Sequence, residues 1–348
     1  MNRILFAGGG TAGHIEPAWA CSEIWRAKHP GDEIAFLGTK SGLEVTLIPE
    51  RNRTLFLIPK VTAPRKINLN TLFFPLKLIN SIIQTISIVK RFDVVVGFGG
   101  YVSASAYIAA AILRKPIVIH EQNAKVGLAN KFGAIFSKEI AVAYPIAAKE
   151  LPGAKIVGNP LRDQIVKAAQ SSMSDWKLAR EKAKEKLGVF KPLILILGGS
   201  TGSQIINRVI AQTDFPNCIV LHSVGRENEL PKKSEDYWPV SYIDDMATAL
   251  LAADLVISRS GAIATTEFAA LGKFALFVPL PIGNGEQKLN AKELVDAGYA
   301  ELISQSEFNA NWLNDNLNRL LDKGRVEAFG TPLNAAEEIV ACIARVIQ

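Results

Sequence analysis

Short apolar, β-rich runs recur along the chain: Arg3–Ala7, Glu33–Leu37, Val94–Val96, Ile117–His120, Leu193–Leu197, Cys218–Leu221, Leu255–Ile257 and Ala275–Val278. They lack the clean apolar/polar alternation of a half-exposed strand, as expected when both faces of a sheet are covered. Between them lie stretches with helical spacing, such as Ala18–Lys28, Val102–Leu113, Ser203–Gln212 and Ala262–Leu271. Strand, glycine turn and helix therefore form the repeating unit, which predicts α/β architecture with parallel sheets. Arg3–Ala7 runs into Gly8-Gly9-Gly10-Thr11-Ala12-Gly13-His14, and Leu193–Leu197 into Gly198-Gly199-Ser200-Thr201-Gly202-Ser203. Two such openings predict two doubly wound, Rossmann-like domains. Gly158-Asn159-Pro160 interrupts regular structure and marks the boundary.

Two helical stretches need separate readings. On a helix over Leu76–Lys90, the residues Leu76, Leu78, Ile79, Ile82, Ile83, Ile86 and Val89 share one arc, with Ile88 on the polar side. The simplest expectation is a core-packing helix. Before it stands Leu72-Phe73-Phe74-Pro75, with Lys60, Arg65 and Lys66 nearby. Aromatics beside cations suit either contact with anionic lipid or a buried Phe pair. Lys177–Lys186 interleaves Lys, Arg and Glu and reads as a solvated helix face.

The length of 348 residues fits about two domains. The three cysteines, Cys21, Cys218 and Cys342, are far apart and form no C-x-x-C pair. Neither a zinc site nor a disulfide framework is supported, and a reducing cytosol fits best. The first apolar stretch is too short for a signal peptide, and Ile67–Val89 is too interrupted to span a bilayer. The net charge of +6 is uneven: residues 1–160 carry 19 basic and 10 acidic side chains, the remainder 20 and 23. That asymmetry argues against a uniformly cationic nucleic-acid coat and for two halves with different partners.

The glycine loops carry the first chemical signal, because a helix N-terminus offers unpaired N–H groups and partial positive charge to an anion. Gly8, Gly10 and Gly13 satisfy G-x-G-x-x-G. A dinucleotide site would want an acid at the end of the second strand, but Gly38-Thr39-Lys40 stands there. The loop also lacks the Gly-Lys-Ser/Thr of a P-loop. His14 follows directly and suits a general base or a phosphate ligand. His29 and His222 read as structural. Ser258-Arg259-Ser260-Gly261-Ala262 opens a helix that Ser260 or Gly261 can cap, presenting the N–H groups of Gly261, Ala262 and Ile263 to a diphosphate. Glu267, further in, can accept from both hydroxyls of a ribose, or simply face solvent. Turns at Gly97–Ser103 and His120–Asn123 add polar groups at strand ends, where open α/β sheets gather ligands.

Eight motifs, in order, resemble the bacterial N-acetylglucosaminyltransferase family of peptidoglycan synthesis: Gly9–His14, Gly99–Ser103, His120–Asn123, Gly158–Arg162, Gly198–Ser200, Tyr242–Met246, Ser258–Ala262 and Gln287–Ala291. The resemblance implies the GT-B fold, two doubly wound domains facing a central cleft. Residues 1–160 plus 334–348 would be the acceptor and membrane-facing domain, and 161–333 the UDP-sugar domain. It implies an inverting, metal-independent transfer of N-acetylglucosamine from UDP-N-acetylglucosamine to the C4 hydroxyl of undecaprenyl-diphosphate-muramyl-pentapeptide, without cofactor. By the match, Ile243 would read uracil and Glu267 the ribose. Ser200, Arg162 and the amides of Ala262, Ile263, Ala264, Thr265 and Thr266 would hold the diphosphate end. Gln287 and Asn123 would bind the sugar, Thr11, Ala12 and Gly13 would line the sugar and acceptor side, and Tyr101 would also bind substrate. His14 is the first candidate for the base and Glu121 the second. The expected setting is the cytoplasmic face of the cell membrane, with a peripheral anionic surface contact and no nucleic acid. Ala12, Glu16 and Glu286 depart from the family pattern. A methyl at Ala12 is tolerable if φ is negative, and Glu16 adds an unexpected acid beside a phosphate site. Rivals are another UDP-sugar enzyme of the same fold, such as an epimerase, a nicotinamide enzyme and a non-catalytic membrane-bound subunit.

Overall fold

The computed structural model describes residues 1–61, 74–199, 201–281, 285–324 and 329–347. The chain forms two compact units, Met1–Pro160 with Asn334–Gln348, and Leu161–Leu333.

Unit 1 holds β1 (Arg3–Ala7), β2 (Glu33–Thr39), β3 (Thr54–Ile58), β4 (Val94–Gly97), β5 (Ile117–Glu121), β6 (Glu139–Val142) and β7 (Lys155–Ile156). They form one parallel sheet in the order β3-β2-β1-β4-β5-β6-β7. The strand order reverses between β1 and β4, and Ala7 pairs with Gly97 where both strands end. That switch point is where ligands of open α/β sheets bind. Helices α1 (Ala12–Lys28), α2 (Glu44–Glu50), α3 (Phe74–Val89), α4 (Gly100–Ile112), α5 (Leu128–Ala134) and α6 (Pro145–Glu150) connect the strands. The last helix of the chain, Ala335–Ile347, packs back on α1 with Ile339, Val340, Cys342 and Ile343 buried.

Unit 2 repeats the plan with α7 (Asp163–Ser174), α8 (Trp176–Leu187), β8 (Leu193–Leu197), α9 (Gln204–Ile210), β9 (Ile219–Ser223), β10 (Tyr237–Val240), α10 (Met246–Ala252) and β11 (Leu255–Ser258). α11 (Ala262–Ala270), β12 (Ala275–Phe277), α12 (Glu286–Asp296), β13 (Ala300–Leu302) and α13 (Ala310–Lys323) complete it. The sheet order is β10-β9-β8-β11-β12-β13, so its switch point lies between β8 and β11. The eight strands read from the sequence are all present. Those it missed lie at or next to sheet edges, such as half-exposed β3, two-residue β7 and β10 with Pro239. A strand without two covered faces has no continuous apolar run to announce it.

Two helical expectations change. α3 buries Ser81, Thr85 and Val89, not the whole apolar arc. Ser81 Oγ donates to the Pro59 carbonyl and Thr85 Oγ1 to the Ser81 carbonyl, so the buried hydroxyls are satisfied. Small residues meet small residues of α4, including Ser105, which lets the two helices approach closely. Leu76, Ile79 and Ile83 are left 64%, 54% and 61% exposed. The charge-dense helix α8 is more than a solvated face. Lys184 and Arg180 both reach Asp254, whose Oδ2 also accepts from the Leu193 amide at the start of β8. Two charge-assisted bonds from α8 and one from the β8 amide thus meet on Asp254 and tie the helix to the sheet.

Candidate active site

In unit 1 the Gly8–Gly13 loop leaves β1 at the switch point and enters α1, whose N-cap is Thr11. The amides of Ala12 and Gly13 head the helix and have no intrahelical partner. Ala12 is not among the residues with positive φ, so its methyl is tolerated. His14 is half-buried, and its Nδ1 lies 3.1 Å from Thr11 Oγ1. Burial pushes the imidazole down to about 4, while the field of Glu44 works in the opposite sense. It is therefore neutral at pH 7, as a general base must be.

The turn after β4 lies beside His14. Gly99 and Gly100 adopt φ of +87° and +78°, and a Cβ on Gly99 would lie 3.6 Å from His14 Nε2. Ser103 Oγ closes the turn by donating to the carbonyls of Ala7 and Gly99 at 2.8 and 2.7 Å. Tyr101 Oη sits 2.9 Å from Thr39 Oγ1, at the end of β2.

Glu121 ends β5 and is 2% exposed. Its Oε1 accepts from the Asn123 amide at 2.9 Å and Asn123 Nδ2 at 3.3 Å. Its Oε2 accepts from the Gly127 amide and Asn130 Nδ2, both at 2.9 Å. Burial raises the carboxyl and these bonds oppose it. Asn130 in turn accepts from Tyr107 Oη at 2.8 Å. Sequence reading named Glu121 and Asn123 but missed Tyr107 and Asn130. The signal lay in Gly97 and Gly133, where a Cβ would come within 2.0 and 2.3 Å of the Tyr107 side chain. His120 is fully buried, with Nε2 3.0 Å from the Gly158 carbonyl.

Glu16 is buried, but it is not the isolated acid beside a phosphate site that the sequence suggested. Arg51 Nη2 donates to Glu16 Oε1 at 2.7 Å and neutralises it.

In unit 2, Ser258–Gly261 follows β11 at the switch point and opens α11. Gly261 is the N-cap, with no side chain capping it. Ser260, a sequence candidate for the cap, is fully buried, and its Oγ has no hydrogen-bond partner among the described residues. Arg259 turns inward and donates to the carbonyls of Val278 and Pro279 and to Gln305 Oε1. Thr265 and Thr266 bond back to the Ala262 carbonyl within α11.

Glu267 is 4% exposed, so the solvated-face reading fails. Arg162, the N-cap of α7, grips it with Nε to Oε1 at 2.8 Å and Nη2 to Oε2 at 2.9 Å. The two residues assigned to the diphosphate and the ribose thus meet in this structure. Gln287 Oε1 accepts from the Leu280 amide, and Asn290 Nδ2 donates to the Ser260 carbonyl, drawing α12 to the α11 turn. Ile243 is buried in the turn before α10, which Asp245 caps through the Thr248 amide. Glu286 lies in the first turn of α12. Ser200, Arg65, Lys66, Leu72 and Phe73 lie outside the described residues. His222 is structural, between Tyr237 Oη at 2.9 Å and Asn207 Oδ1 at 3.1 Å.

Two parallel-sheet domains, each with a glycine turn at its switch point, define the GT-B class of glycosyltransferases. Residues 4–142 match the glycosyltransferase family 28 N-terminal domain and residues 193–343 the family 28 C-terminal domain. A protein of Corynebacterium diphtheriae, named UDP-N-acetylglucosamine–N-acetylmuramyl-(pentapeptide) pyrophosphoryl-undecaprenol N-acetylglucosamine transferase, is 45% identical over 97% of this chain and 92% of its own. The crystal structure of Acinetobacter baumannii MurG superposes with a TM-score of 0.74 at 28% identity, covering 99% of this chain and all of that one. A UDP-GlcNAc 2-epimerase from Methanocaldococcus jannaschii shares the fold, with a TM-score of 0.61 over 99% of both chains, but only 13% identity. The chain belongs to glycosyltransferase family 28.

Proposed function

We propose that this chain transfers N-acetylglucosamine from UDP-N-acetylglucosamine to the C4 hydroxyl of undecaprenyl-diphosphate-linked muramyl-pentapeptide. The carrying observation is the near full-length identity to relatives named for that reaction. The muramyl oxygen attacks the anomeric carbon, the bond to the UDP oxygen breaks, and inversion gives a β-1,4 linkage. With Nδ1–H donated to Thr11 Oγ1, the Nε2 lone pair of His14 is left for the proton of the attacking hydroxyl. Glu121, with four donors on its carboxylate, holds Asn123 against the sugar.

Unit 2 carries the nucleotide in this reading. Ile243 takes uracil through its backbone, and Glu267 accepts from the ribose hydroxyls. The amides from Ala262 to Thr266 and Ser200 face the diphosphate at the N-terminal end of α11, and Gln287 meets the sugar. The guanidinium edge of Arg162 presents two donors to Glu267, as a ribose with vicinal hydroxyls does. Ribose would replace it there, and Arg162 would turn to the leaving diphosphate, where positive charge lowers the barrier.

The acceptor is a lipid, and unit 1 offers a face for an anionic bilayer. α4 packs between α3 and α5. Along this layer Leu76, Ile79, Ile83, Ile112, Leu128 and Ile135 are all more than half exposed. Lys77, Lys90, Arg91 and Arg114 are exposed on the same helices or their ends. Apolar side chains ringed by cations fit peripheral attachment to anionic lipid, which would place the chain on the cytoplasmic membrane face. No helix among the described residues is long and apolar enough to cross a membrane.

UDP-N-acetylglucosamine should raise the melting temperature, while NAD should not. Glu267→Ala should weaken UDP binding at least tenfold, from the loss of two hydrogen bonds to a charged acceptor at about 1.5–3 kcal/mol each. Unchanged affinity would remove the ribose assignment. Release of UDP without an acceptor lipid would favour an epimerase.

A further inference from the structure

Glu44 is the first residue of α2 and is 1% exposed. Its carboxylate lies beneath the loop that reads as an anion site. Oε2 accepts from the Gly10 amide at 2.8 Å, and Oε1 accepts from the Thr39 amide at 2.8 Å and Thr39 Oγ1 at 3.3 Å. Three glycines are shaped around it. A Cβ on Gly9 would stand 2.6 Å from Oε1, one on Gly38 2.3 Å from Cγ, and one on Gly42 2.0 Å from Oε2. Among the described residues no Lys or Arg pairs with it. A buried charge without a counter-ion is costly, and a structural hydrogen-bond acceptor need not carry one.

The surroundings show what the charge faces. From Gly10 the loop runs through Thr11, whose hydroxyl meets His14 Nδ1. On the other side Thr39 Oγ1 donates to Glu44 and accepts from Tyr101 Oη, so the phenol and carboxylate share one chain of donors. We propose that Glu44 is a positioning residue for the transfer: its carboxylate pins the glycine loop beneath His14 and supplies the counter-charge for the imidazolium that forms when the acceptor hydroxyl loses its proton.

This rests on the reading of His14 as base. Glu44 is also the charge that raises the His14 imidazole against the effect of burial. The other ionisable groups nearby are Tyr101 on α4, whose phenol is raised by burial and by Glu44, and Lys60, 5.7 Å from the Tyr101 ring. Glu16 is already paired with Arg51, and Glu121 at the end of β5 is held by its own donors. None of these supplies an unpaired negative charge to His14.

The test measures kcat/KM against pH for the full chain with a soluble lipid-linked acceptor, in wild type, Glu44→Gln, Glu44→Asp, His14→Ala and the Glu44→Gln/His14→Ala double variant. The thermal melt of the full chain serves as the folding control for unit 1, which holds Glu44 and His14. Glu44→Gln removes the charge, so the imidazole becomes less basic. The expected result is a kcat loss of at least tenfold, an acid limb moved to lower pH, and a KM for UDP-N-acetylglucosamine within twofold. Glu44→Asp should keep the limb within about half a unit of wild type, and in the His14→Ala background Glu44→Gln should cost less than twofold. If Glu44→Gln lowers kcat without moving the limb, or costs as much without His14 as with it, the counter-charge role is overturned. If His14→Ala itself keeps near-normal kcat, it is the base assignment that falls.

Discussion

Glu121→Gln distinguishes a base from a scaffold. The carboxylate receives four donors, two at each oxygen, from Asn123, Gly127 and Asn130. A glutamine keeps one accepting end and turns the other into an NH₂ that meets two donors. Two hydrogen bonds to a charged group are lost, at about 1.5–3 kcal/mol each. The neutral amide recovers part of this, because burial had penalised the carboxylate. The net destabilisation should be about 2–4 kcal/mol, or a fall in melting temperature of the order of 10 °C for a unit of this size. Asn123 also loses its anchor, so KM for the sugar donor should rise. Differential scanning calorimetry and steady-state kinetics on the same preparation measure both. If Glu121→Gln melts within 2 °C of wild type, keeps its KM and loses kcat by the 10²–10⁴ of a missing base, the scaffold reasoning is wrong.

Replacing Leu76, Ile79 and Ile83 together with Ser should cut sedimentation with anionic vesicles severalfold while leaving UDP binding intact; undiminished sedimentation would reject the docking face. Burial holds His14 and His120 in unit 1 and His222 in unit 2 down at about 4, against 6.5 in an unfolded chain. The unfolded state therefore binds more protons between those values, and as pH falls through that window unit 2 should lose about 1.4 kcal/mol per pH unit and unit 1, with two such groups, about twice that. Glu121, raised in the fold, acts in the opposite sense. Urea midpoints at pH 7.5, 6 and 5 measure the sum, and a flat series would contradict it. Gly97→Ala places a Cβ 2.0 Å from the Tyr107 hydroxyl, and overpacking there should cost at least about 1–3 kcal/mol; a variant as stable as wild type would show that Tyr107 can move aside.

The unequal legibility of the two sheets has a physical cause. Central strands such as β1, β4, β8 and β11 are covered on both faces, so their sequences are continuous apolar runs that close on glycine turns. Edge strands such as β3 and β10 answer to one face and to solvent, and leave no such signature. Among candidate site residues, those in the turns after β1, β4, β5 and β11 were readable because switch-point turns need glycine and small polar residues. Glu44 and Asn130 were not, because an isolated Glu or Asn in a helical stretch resembles any solvated position until the fold buries it.

The sequence by itself determined the α/β repeat, the central strands, the two glycine openings and the family motifs. These follow from local spacing, and local spacing is written in the order of residues. Tertiary structure decided which charges are neutralised and which surfaces are left bare. It paired Glu16 with Arg51, locked Arg162 to Glu267, and set Glu44 beneath the loop of His14. It also turned Leu76, Ile79 and Ile83 outward, because the small residues on the other side of α3 pack closer to α4 than that apolar arc could. Such outcomes depend on which residues, far apart in the chain, arrive at one point in space, and no periodicity records that.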